Sequence, residues 1–238
     1  MLLKDIACVL ADTARSKAYI QALAQHDLRP SRCLVLSEGA GTSRQLPEEW
    51  NARKYFNLEE PLLTTLETHG IAYEVIASKD INSSEAEAAV RELPQCHLIY
   101  SGYGGAILKP HLFQLGKKWI HVHAGLLPSY RGSTTAYYSL LDNGKLGATA
   151  IFLNEQIDEG SIITAEEFPP PERGELVDYV YEPYIRSQVL VKAVQSYVQK
   201  GRFEEVPQSL QGGETYFIIH PVLKHIAILE LNQHEQQE

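Results

Sequence analysis

The chain has 238 residues, 44% of them hydrophobic and 21% charged, a composition for a globular domain and not for a disordered or fibrous chain. A formal net charge of -9 argues against a nucleic-acid-binding surface as the main function, because neutralising phosphates needs clustered Lys and Arg. No apolar run approaches the roughly 20 residues of a membrane span, and the opening stretch MLLKDIACVLA, interrupted by Asp5, reads as a strand and not as a signal peptide.

In chain order, residues 5–11 form a short apolar run typical of a buried strand. Residues 15–26 place Ile20, Leu23 and Ala24 at helical spacing behind Thr13, a candidate N-cap. CLVLS (33–37) is a second strand, so the chain opens as strand–helix–strand, the unit of a parallel sheet. Residues 38–57 read as a polar surface loop. A helix over 61–70 stops at Gly70, a strand follows over 71–78, and Ser84 with Glu87 forms a capping-box pattern before the helix EAEAAVREL. Strands are expected over 97–102 and 119–123, separated by a turn or short helix around PHLFQLG. A helix over 134–144 precedes strands over 148–154 and 161–168. PPPERGE breaks the pattern before a long helix over about 175–200. The expected fold is α/β, an open, mostly parallel Rossmann-like sheet with flanking helices. Residues 1–200 would form the catalytic domain. Residues 201–238 would add a hairpin-like appendage (or a strand plus short helix), with turn signals at Gln211-Gly212-Gly213 and a disordered end.

The three cysteines, Cys8, Cys33 and Cys96, are scattered, odd in number and without CxxC spacing. Buried reduced thiols are expected, and with them a cytoplasmic setting. Chemistry concentrates in HVHAGLLPSYRG, residues 121–132. Strand alternation points His121 and His123 the same way. Both lie near the C-terminal end of a strand, the edge where open α/β sheets bind ligands. Asp158, in the loop NEQIDEG, is an ordinary turn residue by itself and a third functional group if the fold brings it to the histidines. Two histidines and a carboxylate also have the composition of a metal-binding facial triad, a rival reading to an acid–base site.

The stretch HVHAGLLPSYRGSTTAYYSLLDNG followed by ATAIFLNEQIDEGSII resembles the core of the folate-dependent formyltransferases. That family includes glycinamide ribonucleotide, methionyl-tRNA and sugar N-formyltransferases. The matching positions are His123, Leu126, Leu127, Pro128, Arg131, Gly132, Asp158 and Gly160, with SGYGGAILKP (101–110) upstream. The resemblance implies a formyltransferase fold and formyl transfer from 10-formyltetrahydrofolate to a primary amine. It makes His123 the group on the formyl oxygen and Asp158 its orienting partner, without a metal. His121 stands where the family has Asn and would act as a second donor. Tyr103, Ile107, Leu108, Asn154 and Glu155 are the expected cofactor-side residues. Arg131 would meet a substrate anion, and Tyr137 and Tyr138 would stack on a sugar or base or pack in the core. The turn after the first strand, ADTARSK, lacks the Gly-rich phosphate loop expected of the purine enzyme, and a methionyl-tRNA enzyme would carry a longer C-terminal domain. The expected acceptor is therefore an amino sugar or nucleotide sugar of glycan biosynthesis, with no nucleic-acid or membrane partner. A homodimer is expected, with His220, Lys224 and His225 as structural or interface residues. An aminoacyl group on a carrier protein, or a disabled binding relative, are the other expectations.

Overall fold

The computed structural model describes residues 1–38, 47, 53–209 and 212–231. The expected surface loop lies largely outside them, and the expected disordered end (232–238) lies wholly outside. Strand β1 (Leu2–Ala11) has six consecutive buried residues from Ile6 to Ala11. A continuous apolar run of that kind belongs to a strand covered on both faces. Helix α1 (Ala14–Gln25) begins where the Thr13 hydroxyl accepts the amide of Ser16 at 3.3 Å. It is followed by β2 (Arg29–Leu36), α2 (Leu62–Thr68), β3 (Tyr73–Ile76), α3 (Ser84–Glu92) and β4 (His97–Ser101). The second half runs α4 (Pro110–Phe113), β5 (Lys118–His123), β6 (Tyr130–Gly132), α5 (Thr135–Asn143), β7 (Leu146–Phe152), β8 (Ile162–Phe168), a π-helical turn (Val177–Tyr181), α6 (Glu182–Lys200), β9 (Glu214–Tyr216) and α7 (Pro221–Leu231).

Seven strands form one open sheet in the order β3-β2-β1-β4-β5-β7-β8. The first five are parallel, and β7 and β8 run antiparallel at one side. The chain moves outward from β1 to β3 and then returns to β4, so the order reverses between β1 and β4. That reversal opens a crevice at the C-terminal strand edge. One face is covered by α1 and α6, with Tyr19, Ile20 and Leu23 in the same core as Ile185, Val189 and Leu190. The other is covered by α3 and α4, where Val90 and Leu112 join Leu98 and Trp119. Each fully buried Leu or Ile there contributes about 1.5–3 kcal/mol, which holds the strand ends in fixed positions.

Two local readings are corrected. The cap of α3 is Ser83, whose hydroxyl accepts the amide of Ala86, so the Ser84–Glu87 capping box is out of register by one residue. The C-terminal segment is not a hairpin. Strand β9 pairs in parallel with β6 on the main body, and α7 follows, which is the strand-plus-helix form. The physical reason is backbone satisfaction: β6 presents unpaired amides and carbonyls that β9 fills. Gly213 makes the approach, with φ +98° and no room for a Cβ against the Pro128 carbonyl. Among the described residues no helix is long and apolar enough to cross a membrane.

Candidate active site

His123 ends β5 and is 4% exposed. Its Nε2 lies 2.7 Å from the carbonyl oxygen of Tyr130. A carbonyl only accepts, so Nε2 carries the proton and donates it. Gly125 makes this contact possible: a Cβ there would lie 2.9 Å from Tyr130 O and 3.0 Å from His123 Nε2. Nδ1 is then the lone-pair atom, and it faces Asp158 Oδ1 across 3.4 Å. Burial disfavours the imidazolium and Asp158 favours it; burial wins, and the His123 pKa falls below the usual histidine value.

Asp158 is itself buried and sits at φ +57°, a left-handed conformation that Asp tolerates better than most side chains. Its Oδ2 accepts the amide of Gly132 at 2.8 Å. Gln208 Nε2 donates to the main-chain carbonyls of Asp158 and Gly160, at 2.8 and 2.6 Å. A Cβ on Gly160 would collide with the Phe152 carbonyl, so the loop folds tightly back on β7. The loop that carries the carboxylate is thus fixed from β6, from β7 and from the C-terminal segment.

His121 has a different surrounding from the one expected. Its Nδ1 lies 3.4 Å from the Tyr100 carbonyl and its Nε2 lies 3.3 Å from Arg186 Nη2. The carbonyl requires a proton on Nδ1, and the guanidinium requires a lone pair on Nε2. Burial, then Arg186, Arg15 and His123, hold its pKa well below the ordinary range. Both His121 ring nitrogens thus face protein groups, the Tyr100 carbonyl on one side and the Arg186 guanidinium on the other. Arg186 sits at the His121 atom that a facial triad would turn to its metal. Among the described residues no three His, Cys, Asp or Glu side chains form a metal-binding group.

The remaining expected residues divide. Tyr103 is half-buried and its hydroxyl donates to the Leu36 carbonyl at 3.2 Å, which ties the loop after β4 to the end of β2. Ile107 is 60% exposed, whereas Leu108 is buried in the α3–α4 core and offers no surface. Asn154 and Glu155 are exposed in the β7–β8 loop, and Asn154 Oδ1 accepts the Gln156 amide. Arg131 is buried; Nη2 donates to Gly213 O at 3.1 Å, while Nε and Nη1 have no hydrogen-bond partner among the described residues. Tyr137 is 2% exposed and packed in the main core, with Lys224 over its ring, so it has no face to stack on a ligand. Tyr138 packs against the Tyr216 ring.

Four residues that the sequence reading passed over complete the site. Arg15, in the first turn of α1, donates from Nε to Ser101 Oγ at 2.9 Å and from Nη2 to the Gly102 carbonyl. Arg186 and Glu182 of α6 form a buried ion pair beside His121, and Gln208 fixes the Asp158 loop. Arg186 carried a signal: it falls on the apolar stripe of α6 with Val189, Leu190 and Ala193, where a charge is out of place. A separate groove of about 440 Å³, lined by Arg32, Val75, Glu85, Ala89 and Leu93, lies between β3 and α3 and shares no residue with this site.

The family model described as formyl transferase matches residues 8–175. The chain is similar to methionyl-tRNA formyltransferase of Finegoldia magna, 33% identical over 98 residues, covering 41% of this chain and 32% of that protein. It is similar to formyltetrahydrofolate deformylase 2, mitochondrial, of Arabidopsis thaliana, 30% identical over 136 residues, covering 56% and 42%. It spans less than half the length of either relative. The solved structure of an N-formyltransferase from Helicobacter canadensis, in complex with folinic acid and dTDP-3-aminofucose, shares the fold with a TM-score of 0.63 and 16% identity, covering 97% of this chain and 82% of that one. With His123, Asp158 and the Leu-Leu-Pro turn inside the matched span, the chain belongs to the formyl transferase family.

Proposed function

We propose that this protein transfers the formyl group of 10-formyltetrahydrofolate to a primary amine, and that the amine belongs to an amino sugar carried on a nucleotide. The observation that carries the reading is the His123–Asp158 pair. With Nε2–H committed to Tyr130 O, the lone pair of Nδ1 and the carboxylate of Asp158 face each other at 3.4 Å and provide a seat for one proton. Acyl transfer to an amine needs such an acceptor. The amine nitrogen attacks the formyl carbon, and a C–N bond forms as the C=O electrons move to oxygen. The proton lost by the amine goes to the His123–Asp158 pair. The bond from the formyl carbon to N10 of the folate then breaks, and N10 takes a proton as tetrahydrofolate leaves. The neutral His123 favoured by burial is the form able to accept a proton.

Exposed apolar side chains on the loops that follow β4 and β7, Ile107 at 60% and Ile157 at 56%, support these loops as the seat of the donor's apolar ring system. Asn154 and Glu155 lie on the second of these loops and would give it polar contacts. The sugar-nucleotide acceptor is supported by the Helicobacter canadensis structure, which was solved with dTDP-3-aminofucose. A second reading, favoured by the similarity to a formyltetrahydrofolate deformylase, makes water the acceptor and formate the product.

The test is to incubate the protein with 10-formyltetrahydrofolate, with and without dTDP-linked amino sugars, and to follow tetrahydrofolate, N-formyl sugar and formate. Amine-dependent tetrahydrofolate with a formylated sugar is the expected result. His123→Ala and Asp158→Ala should each lower turnover by at least about a hundredfold while leaving the fold intact. Formate release that ignores the amine would establish the hydrolytic reading instead.

A further inference from the structure

The partly buried cluster around His121 has no counterpart in the proton-transfer scheme above. It is built from three elements. From α6 come Arg186 and Glu182, one helical turn apart, with 6% and 17% of their side chains exposed and Arg186 Nη1 donating to Glu182 Oε1. From α1 come Arg15 and Tyr19. From β5 comes His121, held between Arg186 Nη2 at 3.3 Å and the Tyr100 carbonyl of β4 at 3.4 Å. Opposite His121 on β7 is Ile151, which does not titrate. A cation this deep is costly unless it is paired and hydrogen-bonded. Arg186 has both kinds of partner, and its charged neighbour Glu182 helps hold its pKa above the ordinary arginine value against the cost of burial.

We propose that Arg186 is a positioning residue of the reaction: seated on His121 and anchored by Glu182, it fixes His121 as its neutral Nδ1–H form and holds a permanent positive charge beside His123. The arrangement inverts the simple reading of His121. The imidazole is the acceptor that seats a guanidinium, and the guanidinium supplies the charge. A fixed cation there favours negative charge developing on a formyl oxygen, and it disfavours the imidazolium of His123, keeping that group ready to take the amine proton. This inference rests on the formyl-transfer reading.

The experiment uses full-length Arg186→Met and Arg186→Lys proteins. Two readouts are taken: steady-state kinetics over pH, and NMR titration of the His121 and His123 ring nitrogens. Arg186→Met should lower kcat by about thirtyfold or more, with the KM for 10-formyltetrahydrofolate changed less than about threefold. Its His123 titration and the acid limb of kcat/KM should both move to higher pH, because a nearby cation has been removed. Arg186→Lys keeps the charge without the planar fork. It should keep the wild-type acid limb while losing about tenfold in kcat, which holds the test open if the Met variant does not fold. A Met variant with wild-type kcat and an unmoved His123 titration overturns the proposal, as does a Lys variant whose acid limb shifts. The titrations need no turnover. Wild-type protein that transfers no formyl group would therefore count against the proposed function, while an upward His123 shift in Arg186→Met would still establish the electrostatic coupling.

Discussion

His121 shows how a single partly buried side chain links the site to the stability of the fold. In the unfolded chain its imidazole takes a proton near the ordinary value of about 6.5. In the folded chain burial, then Arg186, Arg15 and His123, push that pKa well down. Between the two values the unfolded state binds more protons, so stability is lost as pH falls below about 6.5. His121→Asn removes this contribution. Its Tm should fall less than that of the wild type between pH 7 and pH 5.5, measured by thermal denaturation at fixed ionic strength. The dependence should become shallower and not flat, since His123 and His97 are also held low by burial. The histidines and Asp158 were legible because spacing and motif mark them. Arg186 was not, because Glu182 and Arg186 at i and i+4 read as a solvent-facing ion pair. Only its position on an apolar stripe contradicts that reading.

At the scale of elements, the buried strands and amphipathic helices announce themselves through continuous apolar runs and helical spacing, and their centres fall where expected. The ends are governed by finer contacts. Helix α3 starts one residue early because the Ser83 hydroxyl, and not that of Ser84, meets the free amide of the first turn. The β6–β9 pair joins two three-residue segments far apart in the sequence, and neither has enough length to show a period. The β7–β8 loop depends on Gly160 for its tight return. Gly160→Ala forces a Cβ into the Phe152 carbonyl, where backbone must shift. A loss of about 5 °C in Tm is expected from overpacking of this kind, with a larger relative loss of turnover as Asp158 is displaced. Gly104→Ala, which meets nothing within 4 Å, is the control and should leave Tm unchanged.

At the scale of the molecule, the sheet positions the candidate catalytic groups, and residues 206–209 and 212–216 tie down the loop beside them. Val206 bridges to Ile162, Gln208 holds the Asp158 loop, Glu214–Tyr216 pair with β6, and the Tyr216 carbonyl accepts the Ser133 amide. This segment touches both halves of the site and is not in the motif that identifies it. Sequence reading placed it apart from the site because contacts between distant segments leave no local pattern. A chain ended after Glu205 should keep the circular dichroism of the sheet and helices, while kcat/KM falls by at least about a hundredfold. Full retention of activity would show that the segment is dispensable.

The lacing of the site by residues 206–209 and 212–216 also sets an order in time. A ribosome releases the seven-stranded sheet and α6 before it releases Gln208 and β9. The nascent chain therefore acquires a folded body first and the last anchor of its carboxylate loop later. An unfinished chain, stalled or cleaved within this stretch, would hold His123 in place while the Asp158 loop lacked its Gln208 bonds and β6 its partner strand.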